Sequence, residues 1–185
     1  MGLVVVIDGP NGAGKDTIRQ RLIEKYPHIY QKFANTTTRE KRLQEVEGES
    51  YFFVNEKEMR RKIAEGEVFE HTVRYNAIYG MSKKAIEDIW AKGKVAINNC
   101  DILGIRAVKE LYGDNALSLF IKASKDEVRQ RMIKRGESAE AVEMRMAKYD
   151  DYMAVEKELD FSVENNDLEK AVEKVHKIIQ RRLKG

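Results

Sequence analysis

Residues 4–17, VVVIDGPNGAGKDT, decide the fold of this chain, because an apolar run leads directly into a glycine-rich turn and a lysine. Residues 4–7 predict a strand buried on both faces, and apolar residues at helical spacing after Lys15 predict a helix. The N–H groups of such a turn converge on phosphate oxygens, and the helix N-terminus adds partial positive charge. The sequence therefore predicts a nucleotide-binding loop formed by Gly9, Pro10, Asn11, Gly12, Ala13, Gly14, Lys15, Asp16 and Thr17.

The spacing from Gly9 to Lys15 matches the Walker A pattern, G-x-x-x-x-G-K, with a departure at the next position. The pattern has Ser or Thr there to hold Mg²⁺, whereas this chain has Asp16, followed by Thr17. Because Mg²⁺ accepts carboxylates and keeps several waters, Asp16 is a candidate metal residue, directly or through water. The alternative is an acid that only interacts with the helix macrodipole.

The composition favours one soluble domain. A chain of 185 residues with 42% hydrophobic content can build one core with a small inserted lobe. A net charge of +3, with 35% charged residues and no block of like charge, argues against nucleic-acid binding. The lone Cys100 excludes an internal disulfide, and the three histidines lack metal-site spacing. Without a leader-like or membrane-spanning run, we expect a cytoplasmic monomer or homodimer that does not bind membranes.

Strand and helix patterns alternate along most of the chain, which predicts an α/β fold with a parallel sheet flanked by helices. The predicted strands are residues 4–7, 51–54, 68–79, 95–98, 116–121 and 161–163. The predicted helices begin after Lys15 and cover residues 56–64, 82–91, 102–111, 126–134 and 168–183. We predict a single domain over 1–185, whose core is 1–33, 82–134 and 158–185, with an insert at about 34–81 and a helical lid at about 135–157.

Arginines outside the loop predict a second phosphate site. Arg39 and Arg42 lie in a polar stretch, residues 35–50, that we expect to be exposed and where they can clamp a phosphate by forked hydrogen bonds. Tyr51 and Tyr79 can add hydroxyl donors. Three further arginines can neutralise charge during transfer, namely Arg131, Arg135 and Arg145. The alternative for all these arginines is a solvated surface with salt bridges.

Taken in order, these segments resemble the guanylate kinase family over nearly the whole chain. The loop GPNGAGK, the TTR-x-x-R motif ending at Arg42, and YFFV from Tyr51 match family motifs in order and spacing. Glu70 matches the glutamate after the insert helix, and Tyr79 precedes the matching glycine. The remaining matches are Asp101 with Gly104, the lid arginines Arg131, Arg135 and Arg145, and the late asparagine Asn165.

The resemblance implies a P-loop kinase fold with a small acceptor-binding insert, and ATP-dependent phosphorylation of GMP, and of dGMP, with Mg²⁺ as cofactor. It implies that ATP lies at the loop and lid, with Asn165 near adenine. The implied catalytic residues are Lys15, Arg39, Arg131, Arg135 and Arg145. The implied GMP-binding residues are Asn35, Arg39, Arg42, Tyr51, Glu70, Tyr79 and Asp101, of which Glu70 and Asp101 face guanine.

The chain departs from the family pattern at four site positions. Asn35 and Met81 stand where the family has serines, Asn99 where it has an aspartate, and Asp16 where it has a metal-binding hydroxyl. Lys41 and Gln44 replace a proline and a glycine of the acceptor loop. Asp16 favours a rival, a sugar-phosphate kinase resembling ribose 1,5-bisphosphate phosphokinases. The more distant rival is a silent guanylate-kinase-like domain that binds proteins, against which the intact Lys15 argues.

Overall fold

The computed structural model describes residues 2–74 and 76–184, which contain nine strands and eight α-helices. The strands are β1 (Val4–Asp8), β2 (Tyr30–Lys32), β3 (Asn35–Thr37), β4 (Tyr51–Phe53), β5 (Val68–Arg74), β6 (Ala77–Ser82), β7 (Val95–Asn99), β8 (Ala116–Lys122) and β9 (Phe161–Glu164). The helices are α1 (Lys15–Lys25), α2 (Glu56–Ala64), α3 (Lys83–Trp90), α4 (Ile102–Tyr112), α5 (Lys125–Lys134), α6 (Ala139–Met146), α7 (Tyr149–Ala154) and α8 (Leu168–Lys184).

Five parallel strands form the core sheet, in the order β2-β7-β1-β8-β9. The parallel sheet predicted from the strand and helix alternation is confirmed. β1 lies at its centre, where Val4 pairs with both Ala96 and Ala116 and every residue of the strand is buried. A strand covered on both faces needs apolar side chains on both, which accounts for the unbroken VVVI run. The glycine-rich loop therefore starts at the carboxyl edge of the sheet, where ligands bind in open α/β folds.

Helices cover both faces of the core sheet. On one face, α1 and α8 pack against it through Leu22, Val175 and neighbouring apolar residues. On the other face, α3 and α4 contribute a second apolar cluster that includes Ile86 and Ile105. Fully burying one such side chain stabilises the fold by about 1.5–3 kcal/mol, so these two layers hold the sheet and the loop at its edge in place.

Residues 34–81 form a second sheet, in the order β4-β3-β6-β5, together with α2. β3 pairs parallel with β4 and antiparallel with β6. The expectation that residues 35–50 form an exposed segment is wrong at its start, because Thr36 and Thr37 are 2% and 0% exposed. Their strand is enclosed by β4 and β6, so its threonines are buried although they are polar.

The single strand predicted for residues 68–79 is in fact a hairpin of β5 and β6. The chain reverses next to Asn76, which has a positive φ of 59°. Asn is among the few non-glycine residues that adopt this conformation without large strain. The reversal places Glu70 opposite Met81 in the antiparallel pair.

Residues 135–157, predicted as a helical lid, contain the two helices α6 and α7. Their apolar side chains Val142, Met146 and Tyr149 pack on Val128 and Met132 of α5 in a cluster separate from the two that flank the core sheet. We call this group the lid cluster. None of the helices in the described part of the chain has both the length and the apolarity needed to cross a bilayer.

Candidate active site

The loop between β1 and α1 has a backbone conformation that requires glycine. A Cβ on Gly9 would collide with the carbonyl oxygen of Ile121, and one on Gly14 would collide with the Asn165 side-chain amide. The loop also has positive φ angles of 144°, 87° and 97° at Gly9, Gly12 and Gly14. Residues that carry a side chain rarely adopt such angles. The glycines therefore allow the loop to pass close to β8 and to Asn165.

Lys15 lies beneath this loop. Its Nζ donates hydrogen bonds to the carbonyl oxygens of Gly9 and, at 3.1 Å, of Pro10. Burial lowers the pKa of the Lys15 ammonium, and the charges of Asp8 and Asp16 oppose that shift. Asp8 is 4% exposed, and burial raises the pKa of its carboxyl to about 6, against the hydrogen bond from Gly9 and the charge of Lys15. The loop thus holds a partly desolvated cation, which interacts strongly with an incoming anion.

The Asp16 carboxylate is fixed by neighbouring side chains. Its Oδ1 lies 3.0 Å from Nη2 of Arg19 and accepts a 2.9 Å hydrogen bond from Nδ2 of Asn99. Arg19 also donates through Nη1 to Oδ1 of Asn98 at 2.9 Å. Asp16 remains 81% exposed, so its carboxylate faces the solvent in front of the loop.

This arrangement fits Mg²⁺ by its chemistry, since the exposed carboxylate is a hard oxygen ligand beside the phosphate loop. Thr17 follows it within α1 and offers a hydroxyl oxygen. Within the described ranges, no group of three or more His, Cys, Asp or Glu side chains is placed to hold a metal ion. Mg²⁺ would therefore depend on a nucleotide's phosphates and water for most of its ligands, as it commonly does in kinases.

Two clefts meet in front of the loop. The first, the loop cleft, has a volume of about 690 Å³ and is lined by the loop, α1, β2 and lid arginines. The second, the insert cleft, has a volume of about 500 Å³ and lies between the core and the second sheet. Both are lined by Asn11, Lys15, Asn35, Tyr51, Arg74 and Asn99. A molecule in the insert cleft can therefore reach the lysine of the loop.

Besides Asp8, two carboxylates from different lobes line the insert cleft, Glu70 on β5 and Asp101 at the start of α4. Asp101 caps α4 by accepting a hydrogen bond from the Gly104 N–H at 3.1 Å. Its other oxygen lies 2.7 Å from Nη2 of Arg74. Burial raises the pKa of Glu70, the charge of Asp101 adds to that effect, and Arg74 opposes it. Such a carboxylate pair accepts adjacent N–H donors from a ligand.

The remaining wall of the insert cleft is polar and aromatic. Tyr51 and Tyr79 stand edge to face, with ring centroids 5.8 Å apart. Asn35 carries a buried Oδ1 that accepts no hydrogen bond from the residues described. An unsatisfied buried amide oxygen is costly, so a ligand donor in this cleft would be stabilised there. Met81, where the family has a serine, also lines the cleft and is 2% exposed.

The two insert arginines predicted to clamp a phosphate, Arg39 and Arg42, do not line either cleft. Arg39 forms a two-pronged ion pair with Glu45, at 3.0 and 2.6 Å, and lies over the rings of Tyr51 and Phe53. Glu45 also accepts a hydrogen bond from the backbone N–H of Arg42, whose side chain is exposed. Neither arginine is among the described residues lining the clefts. Exposed Lys41 and Gln44 belong to the same loop.

The predicted lid arginines occupy two different places. Arg135 and Arg145 line the loop cleft. Arg131 instead binds the backbone beneath the loop, since its Nη2 donates to the Asn165 carbonyl at 2.6 Å and its Nη1 to the Ala13 carbonyl at 3.4 Å. Asn165 is 4% exposed, and its Nδ2 donates to the same Ala13 oxygen at 2.7 Å. Arg131 and Asn165 therefore support the loop from behind.

The cleft residues that were not predicted from the sequence include Arg19, Lys32, Arg74 and Tyr152. Arg19 follows Lys15 by four residues, and that spacing places both on one face of a helix. Lys32 ends a strand at the carboxyl edge of the sheet, where ligands bind. The spacing of Arg19 from Lys15 and the position of Lys32 at a strand end are therefore signals that the sequence itself contains. Arg74 and Tyr152 reach the cleft through the insert hairpin and the lid, which sequence spacing does not reveal.

Comparison with known proteins identifies the family of this chain. The family model described as Guanylate kinase matches residues 1–182. The guanylate kinase of Symbiobacterium thermophilum is 37% identical over 180 residues, covering 96% of this chain and 84% of that protein. The guanylate kinase of Helicobacter pylori is 35% identical over 187 residues, covering 98% and 90%. The crystal structure of guanylate kinase from Anaplasma phagocytophilum matches with a TM-score of 0.71 and 25% identity over 97% of this chain and 85% of that one.

The P-loop kinase fold expected from the resemblance is thus confirmed, and the chain belongs to the guanylate kinase family of nucleoside monophosphate kinases.

Proposed function

We propose that this protein transfers the γ-phosphoryl group of ATP to GMP, and to dGMP, in a reversible reaction. The observation that carries the proposal is the junction of the two clefts, where Lys15 of the phosphate loop faces a cavity that contains Glu70 and Asp101. A nucleotide bound by its base at the carboxylates would direct its phosphate toward the loop. Membership in the guanylate kinase family supports ATP and GMP as the two substrates.

Guanine suits the carboxylates because adjacent N–H donors on its Watson–Crick edge can each reach an acceptor, while O6 needs a donor such as the Asn35 amide. Adenine would leave Glu70 and Asp101 without these partners. A site built to hydrogen-bond one substrate strongly rejects an analogue that lacks the donor. The Met81 side chain adds an apolar contact where a hydroxyl stands in the family.

In the transfer step, an oxygen of the GMP phosphate forms a bond to the γ-phosphorus of ATP while the bond to the β–γ bridging oxygen breaks, giving GDP and ADP. The second pKa of a phosphate monoester is about 6, so the acceptor is already largely dianionic at neutral pH and requires no general base. The protein aligns the two phosphates and offsets their charge. Lys15, Arg135 and Arg145 are assigned this role in the loop cleft, and Mg²⁺, held by Asp16, would neutralise further phosphate charge.

We also infer that the chain works as one domain with a core, an acceptor-binding insert and a lid. Separate sheets for core and insert and a separate lid cluster support that division. Closure of insert and lid would exclude water, which otherwise hydrolyses ATP. The roles of Arg39, Arg42, Tyr51 and Tyr79 toward the GMP phosphate, a monomeric or homodimeric state and a cytoplasmic location stay predictions.

A coupled assay of ADP release with ATP and Mg²⁺ tests the proposal, with GMP, dGMP, AMP, UMP and ribose 1,5-bisphosphate offered in parallel. We expect turnover with GMP and dGMP. Turnover with the sugar bisphosphate alone would make the protein a sugar-phosphate kinase, and no turnover with any acceptor would favour a protein-binding domain.

A matched pair of variants tests base recognition. Glu70→Gln keeps the shape of the side chain but replaces an acceptor by a donor, and we expect it to raise the KM for GMP by roughly 10- to 100-fold. The exposed Glu65→Gln on the same lobe is the control. Unchanged GMP kinetics in Glu70→Gln would overturn the guanine-binding role.

A further inference from the structure

The loop cleft carries more positive charge than its carboxylates balance. Asp16 is the one acidic side chain among the described residues that line it. The cationic side chains lining the same cleft are Lys15, Arg19, Lys32, Arg74, Arg135 and Arg145. Two of these have acidic partners outside the cleft lining, since Arg74 pairs with Asp101 and Arg145 with Glu137. That leaves four cations, Lys15, Arg19, Lys32 and Arg135, against Asp16, which pairs with Arg19. Arg19 and Lys32 stand on the core wall of the cleft, on α1 and β2.

Arg19 and Lys32 both hold their charge in a partly desolvated place. The Arg19 side chain is 16% exposed, although it pairs with the exposed Asp16. Burial lowers the pKa of Lys32, and the charge of Arg19 lowers it further. Arg19 on α1 and Lys32 on β2 therefore repel each other. An anion between them would relieve that repulsion and replace lost hydration.

Both side chains are positioned and retain free donors. Asn98, 6% exposed, orients Arg19 by accepting from its Nη1, and is itself fixed by donating to the Phe33 carbonyl at 2.9 Å. A guanidinium has five N–H donors, and Asp16 and Asn98 do not use them all. Lys32 Nζ donates to the Glu49 carbonyl at 3.2 Å, and the Ser50 carbonyl lies 3.5 Å away. Neither carbonyl carries a full negative charge, and the charge of Asp16 only opposes the lowering of the Lys32 pKa.

The location of this pair matches the place of an acceptor phosphate. Tyr51 and Asn35 line the loop cleft beside Arg19 and Lys32, and both also line the insert cleft, where the guanine carboxylates lie. A phosphate group attached to a base in the insert cleft would pass these residues on its way to Lys15. In contrast, Arg39 is ion-paired with Glu45 and is not among the described residues that line either cleft.

We propose that Arg19 and Lys32 bind the phosphate monoester of the acceptor nucleotide from the core side of the loop cleft. The family motifs assign that phosphate to residues of the insert alone, so this is an additional binding surface. The inference rests on the proposed function, because it places the acceptor's base at Glu70 and Asp101. In this arrangement Arg19 and Lys32 bind substrate and recognise a dianionic phosphate.

Calorimetric titration tests the proposal on the full chain, with GMP, guanosine and ATP as separate probes. The variants are Arg19→Met and Lys32→Met, and the control is Arg21→Met, on the same helix but 54% exposed. Loss of a charge-assisted contact predicts GMP binding weaker by about tenfold or more in each variant. Guanosine, which lacks the phosphate, and ATP should bind as they bind the unaltered protein. Lys32→Arg, which keeps the charge, should restore most of the GMP affinity.

Three results would overturn the inference. Unchanged GMP affinity would mean that neither side chain meets the phosphate. An equal loss of guanosine affinity would assign the pair a structural role, and an equal loss of ATP affinity would assign it to the donor. Should Arg19→Met fail to fold, the Lys32→Met and Lys32→Arg pair decides alone.

Failure of the inference is distinct from failure of the proposed function. An unaltered protein that phosphorylates GMP, with variants that bind GMP normally, overturns only the role of Arg19 and Lys32. An unaltered protein that neither binds nor phosphorylates GMP overturns both.

Discussion

Arg74 Nη2 lies 2.7 Å from Asp101 Oδ2, so one ion pair joins the insert hairpin to the core across the insert cleft. Their side chains are 57% and 43% exposed, and an ion pair in contact with solvent contributes little to stability. Its importance is local, because the Arg74 charge also lowers the pKa of Glu70 against the effects of burial and of Asp101.

Replacing Arg74 should therefore change the pH dependence of GMP binding. In Arg74→Met the pKa of Glu70 rises further above its ordinary value, because burial and the charge of Asp101 then act unopposed by this cation. Glu70 then becomes a carboxylate only at higher pH, so the KM for GMP should increase at acidic pH more than in the unaltered protein. Steady-state kinetics between about pH 5 and 8 measure this. Arg60→Met, exposed on α2, is the control, and identical profiles would contradict the prediction.

Lys15→Met should nearly abolish transfer while the fold persists. The ammonium is the loop's positive charge, and removing one such electrostatic contact commonly costs about 10²- to 10³-fold in kcat. The substitution also removes two hydrogen bonds to loop carbonyls, at Gly9 and Pro10. ADP release measures activity, and circular dichroism checks the fold. A folded variant with near-normal turnover would remove the loop from the mechanism.

Asp8 should give the substrate-free protein a measurable pH dependence of stability. Its carboxyl has a pKa of about 6 in the fold against an ordinary value of 3.8, so the folded state holds the proton to higher pH than the unfolded chain. Between these values the unfolded chain binds fewer protons, and the free energy of unfolding falls as pH rises, by about 3 kcal/mol in total. Above about pH 6 this contribution is constant.

Urea unfolding of the unaltered protein and of Asp8→Asn at several pH values between about 4 and 8 measures the effect, because the difference between them isolates this carboxyl. We expect the variant to gain stability relative to the unaltered protein as pH rises through that range. A difference that stays constant with pH would show that Asp8 titrates alike in both states.

Asn165→Ala should weaken the support of the loop. The substitution leaves the Ala13 carbonyl without its 2.7 Å hydrogen bond and opens space beside Gly14. Loss of such a buried partner costs about 1–3 kcal/mol in the free energy of unfolding, and a less ordered loop should raise the KM for ATP. Asn166→Ala replaces the exposed neighbour and is the control. Equal stability and ATP kinetics in both variants would exclude this role for Asn165.

The long, periodic elements could be predicted from the sequence, and short or polar ones could not. The unbroken VVVI run at β1 and the helical spacing of Val172, Val175 and Ile179 on α8 are both strong signals. β2 and β3 have only three residues each, and β3 consists of Asn35 and two threonines. Its burial results from its two neighbouring strands, which lie farther along the chain, so no local pattern indicates it.

The candidate site divides in the same way. Lys15, Glu70 and Asp101 were predicted because motifs mark them in the sequence, and the structure places them around adjoining clefts. The positions of Arg39 and Arg131 depend on ion pairs and backbone contacts with distant residues, such as Glu45 and Asn165. Sequence spacing predicts which residues are available, whereas these contacts decide which of them face the cleft.

The lid cluster has a thermodynamic consequence. Its buried members are Ala123, which follows β8, and residues of α5, α6 and α7, and none of them belongs to the two clusters of the core sheet. A segment with its own small apolar cluster can open as a separate cooperative unit, at a free energy below that of global unfolding. The amide protons of α6 and α7 should then exchange with solvent while those of β1 stay protected. Opening of the lid for product release would therefore leave intact the sheet that holds the phosphate loop.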